Sequence, residues 1–216
     1  MSVILVTGFE PFGGMAYNPS AEIARALDGA EIGGGRIVGR RIAVDFARHR
    51  PQLEDLFSEI APALYVGFGL ATGEDMIRIE RFGVNLADFP MPDNAGARHR
   101  GLAIEADGPA ARAATLPTAE IRAALLAAGI PARLSNSAGS YLCNANLYTA
   151  LGLCAARRPA PPCGFIHLPY ASEQLAAILG EGKIDGESPA PSLPIATMIA
   201  AAKAIIGVSL SAIAPR

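Results

Sequence analysis

Charge, histidine and cysteine are all scarce in this 216-residue chain, and each shortage removes a class of function. Asp, Glu, Lys and Arg together make up 18% of the residues against 51% hydrophobic, a composition that can fill a core and argues against disorder. The formal net charge of −2 leaves no electrostatic footprint for nucleic acid or an anionic membrane. Two short basic clusters, Gly39-Arg40-Arg41 and Ala97-Arg98-His99-Arg100, read as solvated surface. The three histidines and three cysteines show no ligand spacing, so a metal site is not expected. Cys143, Cys154 and Cys163 cannot all pair, which points to a reduced, cytoplasmic setting without a disulfide framework.

Long hydrophobic runs are missing too. The most apolar stretch, 195–214, contains Lys203 and several small residues and reads as a packed helix rather than a membrane span. The opening MSVILVTGF has no basic region or cleavage site, so it reads as a strand and not as a signal peptide.

What is present is a regular alternation of elements. Apolar, β-branched runs predict buried strands at 3–7, 36–44, 63–69, 132–136 and 163–169. Period-two alternation over 76–84 predicts another strand, with Arg78 and Glu80 on one face and Ile77 and Ile79 on the other. Helices are expected from Asn18-Pro19-Ser20 to about 27, then near 46–60, 120–129, 142–157, 172–180 and 193–207. Alternating continuous strands and helices predict a single-domain, three-layer α/β/α sandwich around a mixed, largely parallel sheet. In such sheets ligands gather beyond the C-terminal ends of the strands. The 8–18 loop, the 69–74 turn, the Ser135–Cys143 turn and His167 all fall there.

The candidate chemistry follows from those places. Cys143 stands at the start of a helix, where backbone amides favour a thiolate, so it is either a nucleophile or a small core residue. Cys154 and Cys163 read as core. His49 reads as a surface residue of a charged helix, and His99 lies in a charged loop. His167 ends an apolar strand and is either a satisfied core histidine or the base for Cys143. Glu80 is an acidic residue in an apolar strand and needs a partner, which could be His167, Arg78 or Arg81. GFEPFGG (8–14) lacks the features of a P-loop or dinucleotide turn; Phe9 and Phe12 are either walls for a flat, uncharged ligand or core plugs.

Four segments taken together resemble the pyroglutamyl peptidase I family: TGFEPFGGMAYNPS (7–20), IRIERFGVNLAD (77–88) with PDN (92–94), SNSAGSYLCNANLY (135–148) and GFIHLPY (164–170). The resemblance runs in order over nearly the whole chain. It implies a cysteine peptidase that removes N-terminal pyroglutamate from peptides, with Cys143 as nucleophile, His167 as acid/base and Glu80 as the orienting carboxylate. It further implies substrate contacts at Phe9, Phe12, Asn18 and the position of Leu70, no cofactor or metal, an intracellular setting, and a homo-oligomer, either tetramer or dimer. Where the family commonly has Gly-Gln-Ala-Gly-Gly-Arg this chain has GLATGE (69–74), and where Ala-Arg-Ile-Pro-Asp-Asn is common it has FPMPDN (89–94). Leu70, Glu74 and Pro90 thus replace a glutamine and two arginines. That leaves room for another small N-acyl or lactam amide as substrate, or for a weakened pyroglutamate-binding homologue.

Overall fold

A computed structural model describes residues 2–182 and 190–213; positions 1 and 214, which end two of the apolar stretches above, lie outside them. In chain order the elements are β1 (Ser2–Phe9), α1 (Pro19–Leu27), β2 (Glu31–Ile32), β3 (Gly35–Ile42), α2 (Phe46–Ile60), β4 (Leu64–Leu70), β5 (Ile77–Glu80), β6 (Phe82–Val84) and β7 (Ala111–Ala113). They continue with α3 (Thr118–Ala127), β8 (Ala132–Ser135), α4 (Leu142–Ala155), β9 (Cys163–Leu168), β10 (Tyr170–Ala171), α5 (Ser172–Gly180), β11 (Ser192–Leu193) and α6 (Ile195–Ile213).

The central sheet has seven strands in the order β2-β3-β1-β4-β9-β5-β8. Strands β3, β1, β4 and β9 run parallel; β5 joins β9 antiparallel and carries β8 parallel to itself. The sheet is therefore mixed and mostly parallel, as its continuous apolar strands predict. Both faces are covered. Helices α1, α3 and α6 bury Ile23, Leu27, Ile121, Leu125, Met198, Ile205 and Ile206 on one side, while α2 and α4 bury Leu53, Phe57, Leu147 and Leu151 on the other. By length and composition α6 could cross a membrane, yet Met198, Ala201, Ala202, Ile205 and Ile206 are fully buried in the core.

Two sequence expectations change here. The alternating run at 76–84 is two strands, not one. It breaks at Arg81, after which β6 leaves the sheet, pairs with β7 and docks on α4. Its second half therefore answers to a helix rather than to sheet neighbours. His49, expected at the surface, is 2% exposed. The reason is helical period: Phe46, His49, Leu53 and Phe57 lie on one face of α2, and that face packs inward. Cys154 and Cys163 are buried, as expected.

His49 ends a buried polar chain. Thr7 Oγ1 and Tyr65 OH are 2.7 Å apart, Tyr65 OH donates to Asn146 Oδ1 at 2.7 Å, and Asn146 Nδ2 lies 3.4 Å from His49 Nε2. Burial, with Arg50 nearby, pulls His49 down to about 4. The unfolded chain protonates this histidine near its ordinary value of about 6.5, so folding stability contributed by the neutral ring is lost as pH falls from about 6.5 toward 4. We expect the unfolding temperature to drop across that window, and His49→Gln, which keeps a partner for Asn146 without a titrating ring, to flatten the drop. Unfolding scans of both proteins at stepped pH check this.

Candidate active site

The site is built where the sheet changes direction. In the antiparallel β5–β9 register Arg78 lies opposite His167 and Glu80 opposite Phe165, so all four side chains share one face of the sheet. In the parallel β4–β9 register Gly69 lies beside His167, on that same face. A Cβ placed on Gly69 would lie 2.7 Å from Cys143 Sγ and 2.7 Å from Phe165 Cζ. The missing side chain is the space into which α4 lowers its thiol.

Cys143 is the second residue of α4, behind an N-cap, Tyr141, that makes no side-chain capping bond. The first intrahelical bond of this end runs from Ala145 N–H to Tyr141 C=O. The amides of 142–144 therefore point toward the site with the positive end of the helix dipole. Asn144 locks this turn in place. It accepts from Val84 N–H at 2.8 Å and donates to the Val84 and Leu86 carbonyls at 2.9 Å each.

His167 Nδ1 lies 2.8 Å from Glu80 Oε1. That bond holds the ring and leaves Nε2 for Cys143. Burial pulls His167 down, but the charge and hydrogen bond of Cys143, joined by those of Glu80, raise it to about 9. Glu80 is wholly buried and also takes Arg78 Nη2 on the same oxygen, at 3.0 Å. Two of the three partners left open by the sequence, His167 and Arg78, are thus present. Arg81 is not one of them: it bonds Asn136 and lies over the Phe82 ring.

The expected substrate positions fare differently. Phe12 is half-buried, its ring 6.3 Å from that of Tyr141. Phe9 is 2% exposed, stacked on His49 and tilted against Phe165, whose ring meets His167 edge-on at 5.1 Å. Phe9 is a core residue that backs the site, so Phe12 and Tyr141 are the aromatic surface beside the thiol. Asn18 is corrected to a structural role. It is buried and caps α1 through Ser20 N–H and Oγ, while its amide donates to the Glu10 carbonyl. The side chain of Leu70 is also ruled out, because strand alternation and pairing with Leu168 put it on the sheet face opposite Gly69 and Cys143.

The loop motifs hold these walls. Glu10 Oε1 accepts from Val44 N–H and Asn94 Nδ2, both at 3.0 Å, and Asn94 also donates to the Pro11 carbonyl. Asp93 accepts from the amides of Phe46, Ala95 and Ala97. Tyr141 OH donates to the Pro92 carbonyl, and Ser140 Oγ to that of Asp88. Tyr141 and Asn144 were missed in the sequence; their signal was position alone, on either side of the nucleophile. Pro90 is exposed and brings no donor.

A thiol over a helix N-terminus, an imidazole held by a buried carboxylate and an apolar aromatic wall define a hydrolase of the cysteine type, one suited to a neutral acyl group. The sequence model of the pyroglutamyl peptidase family matches residues 2–212. Pyrrolidone-carboxylate peptidases of Pyrococcus furiosus and Deinococcus radiodurans are 41% and 42% identical, covering 96% and 90% of this chain and 97% and 88% of their own. An X-ray structure of pyrrolidone carboxyl peptidase from P. furiosus superposes with a TM-score of 0.92 at 39% identity, covering 98% of this chain and 100% of the other. The chain belongs to the pyroglutamyl peptidase family: it is a cysteine peptidase that removes N-terminal pyroglutamate.

Two measurements test the geometry. Gly69→Ala should stay folded but lose on the order of 10²-fold in kcat/KM, since displacing a reacting atom by about 1 Å costs that much. The alkaline limb of kcat/KM should fall near pH 9, where His167 gives up its proton. An unchanged Gly69→Ala, or a limb near 6.5, counts against the placement of the thiol and the ring.

Proposed function

We propose that Cys143, His167 and Glu80 carry the pyroglutamyl peptidase reaction of this chain. The observation that carries this reading is the line from Glu80 through His167 to Cys143 at the amino end of α4. The Cys143 thiolate attacks the carbonyl that joins the pyroglutamyl ring to the next residue. The tetrahedral oxyanion is met by amides at the start of α4. His167 then protonates the departing amine, leaving a thioester, and afterwards takes a proton from the water that hydrolyses it. Glu80 keeps the ring oriented and offsets its positive charge throughout. Pyroglutamate is a neutral lactam with no free amine, so an apolar surface made by Phe12 and Tyr141, with Phe9 and Phe165 behind it, favours it over a charged amino terminus.

The same reading includes a homo-oligomer, dimer or tetramer, and a cytoplasmic setting. The family resemblance supports the first, and a nucleophilic thiol that must stay reduced supports the second.

Release of a fluorophore from a pyroglutamyl amide tests the assignment. Wild type should turn over; Cys143→Ala and His167→Ala should lose at least about 10³-fold; Cys154→Ala and Cys163→Ala should retain activity. Turnover by a folded Cys143→Ala protein would overturn the nucleophile.

A further inference from the structure

We propose that Arg78 is a positioning residue of this peptidase: it sets the charge state of the Cys143–His167 pair through Glu80 and ties down the loop that leads to the nucleophile. The inference rests on the triad reading above.

Four observations carry it. First, the β5–β9 register places Arg78 directly opposite His167 and on the same face. Second, Arg78 Nη2 and His167 Nδ1 converge on one oxygen, Glu80 Oε1, at 3.0 and 2.8 Å. Among the described residues Glu80 Oε2 and Arg78 Nε have no partner. An ion pair formed for its own strength would spread its fork over both oxygens; here the carboxylate is turned to serve the imidazole, and the arginine follows. Third, the same guanidinium donates to Ser135 Oγ at 3.0 Å and to the Ser137 carbonyl, so it also holds the segment between β8 and α4. Fourth, it is anchored from behind. Arg78 Nη1 bonds Glu74 Oε1 at 2.7 Å, and Glu74 Oε2 takes Arg133 Nη2 at 2.7 Å.

The result is an alternating series from the surface inward: Arg133, Glu74, Arg78, Glu80, His167, Cys143. The charged and titratable groups facing the pair are Cys143 and the neighbouring Tyr141 from the α4 end and Arg78 and Glu80 from β5, while β4 presents Gly67, Gly69 and Tyr65 on this face, the Tyr65 hydroxyl being engaged by Thr7 and Asn146. A cation beside Glu80 disfavours the proton on His167 and favours the thiolate on Cys143. Removing it raises the proton affinity of both groups, so both limbs of the pH profile move to higher pH together. Loss of a merely structural contact has no reason to move them in step.

The experiment follows two readouts, pyroglutamyl-amide turnover and the rate of Cys143 alkylation by iodoacetamide, each against pH, in wild type, Arg78→Met, Arg78→Lys and Glu74→Gln. For Arg78→Met we expect both limbs to rise by about one unit, kcat to fall about tenfold or more, and KM to stay within about twofold because Arg78 is held away from the substrate by its four partners. Arg78→Lys should keep the limbs in place while losing rate, since it retains the charge and loses the fork. Glu74→Gln takes an anion away from Arg78 and should shift both limbs the opposite way, to lower pH, by less, and it decides the question if Arg78→Met does not fold. Limbs that stay put in a folded Arg78→Met protein, or in Glu74→Gln when that variant decides, overturn the proposal and leave the triad standing. A wild-type Cys143 no more reactive than an ordinary thiol near neutral pH overturns the triad reading and this inference together.

Discussion

A carboxylate with no exposure to solvent is the constraint on which the rest of the site depends. An ionised Glu80 in the middle of an apolar strand would be expelled or protonated unless charged donors met it inside the protein. Strand β5 meets that need by running antiparallel to β9, which brings Arg78 and His167 to the same oxygen. The reversal of one strand in an otherwise parallel array is therefore tied to chemistry. A parallel β5 would change the register and move the carboxylate away from the ring.

The second constraint is room. Helix α4 must bring its first turn close to the sheet for the thiol to reach the imidazole, and β4 allows this by carrying glycine at 67 and 69. A Cβ at Gly67 would lie 2.6 Å from the Phe165 ring and 2.7 Å from Asn146 Oδ1, as one at Gly69 would meet Cys143. The helix is then pinned by Asn144 to β6 and by Tyr141 and Ser140 to the 88–92 segment. Glycine in a strand interior weakens it, and here the loss is offset by the close packing of helix on sheet.

Behind the aromatic wall lies the chain Thr7–Tyr65–Asn146–His49, with Phe9 stacked on its last member. Asn146 sits one turn beyond Cys143 on α4 and Tyr65 on β4, so the chain binds the nucleophile's helix to the strand that makes room for it. Directional bonds in a buried setting give these elements one relative position. Phe9 inherits that position and backs Phe165, which in turn holds the edge of His167.

Much of this was legible in the order of residues, because period, punctuation and residue type are local properties. Continuous apolar strands alternating with helices implied the three layers, and a cysteine after a glycine-serine turn implied a thiol at a helix end. Contact across the sheet is not local. Whether Glu80 met His167 or an arginine depended on the direction of β5 and its register with β9, and the answer was both. The same limit explains the misreadings. His49 looked like surface because its neighbours are charged, yet it lies on the apolar stripe of α2. Leu70 and Asn18 stood in loops near the site, but the alternation of β4 turned one to the far face and capping of α1 occupied the other. The sequence by itself determined the kinds of element and the chemical groups available. Only the tertiary structure decided which of those groups share a face, since strand direction and register are settled by packing against elements distant in the chain.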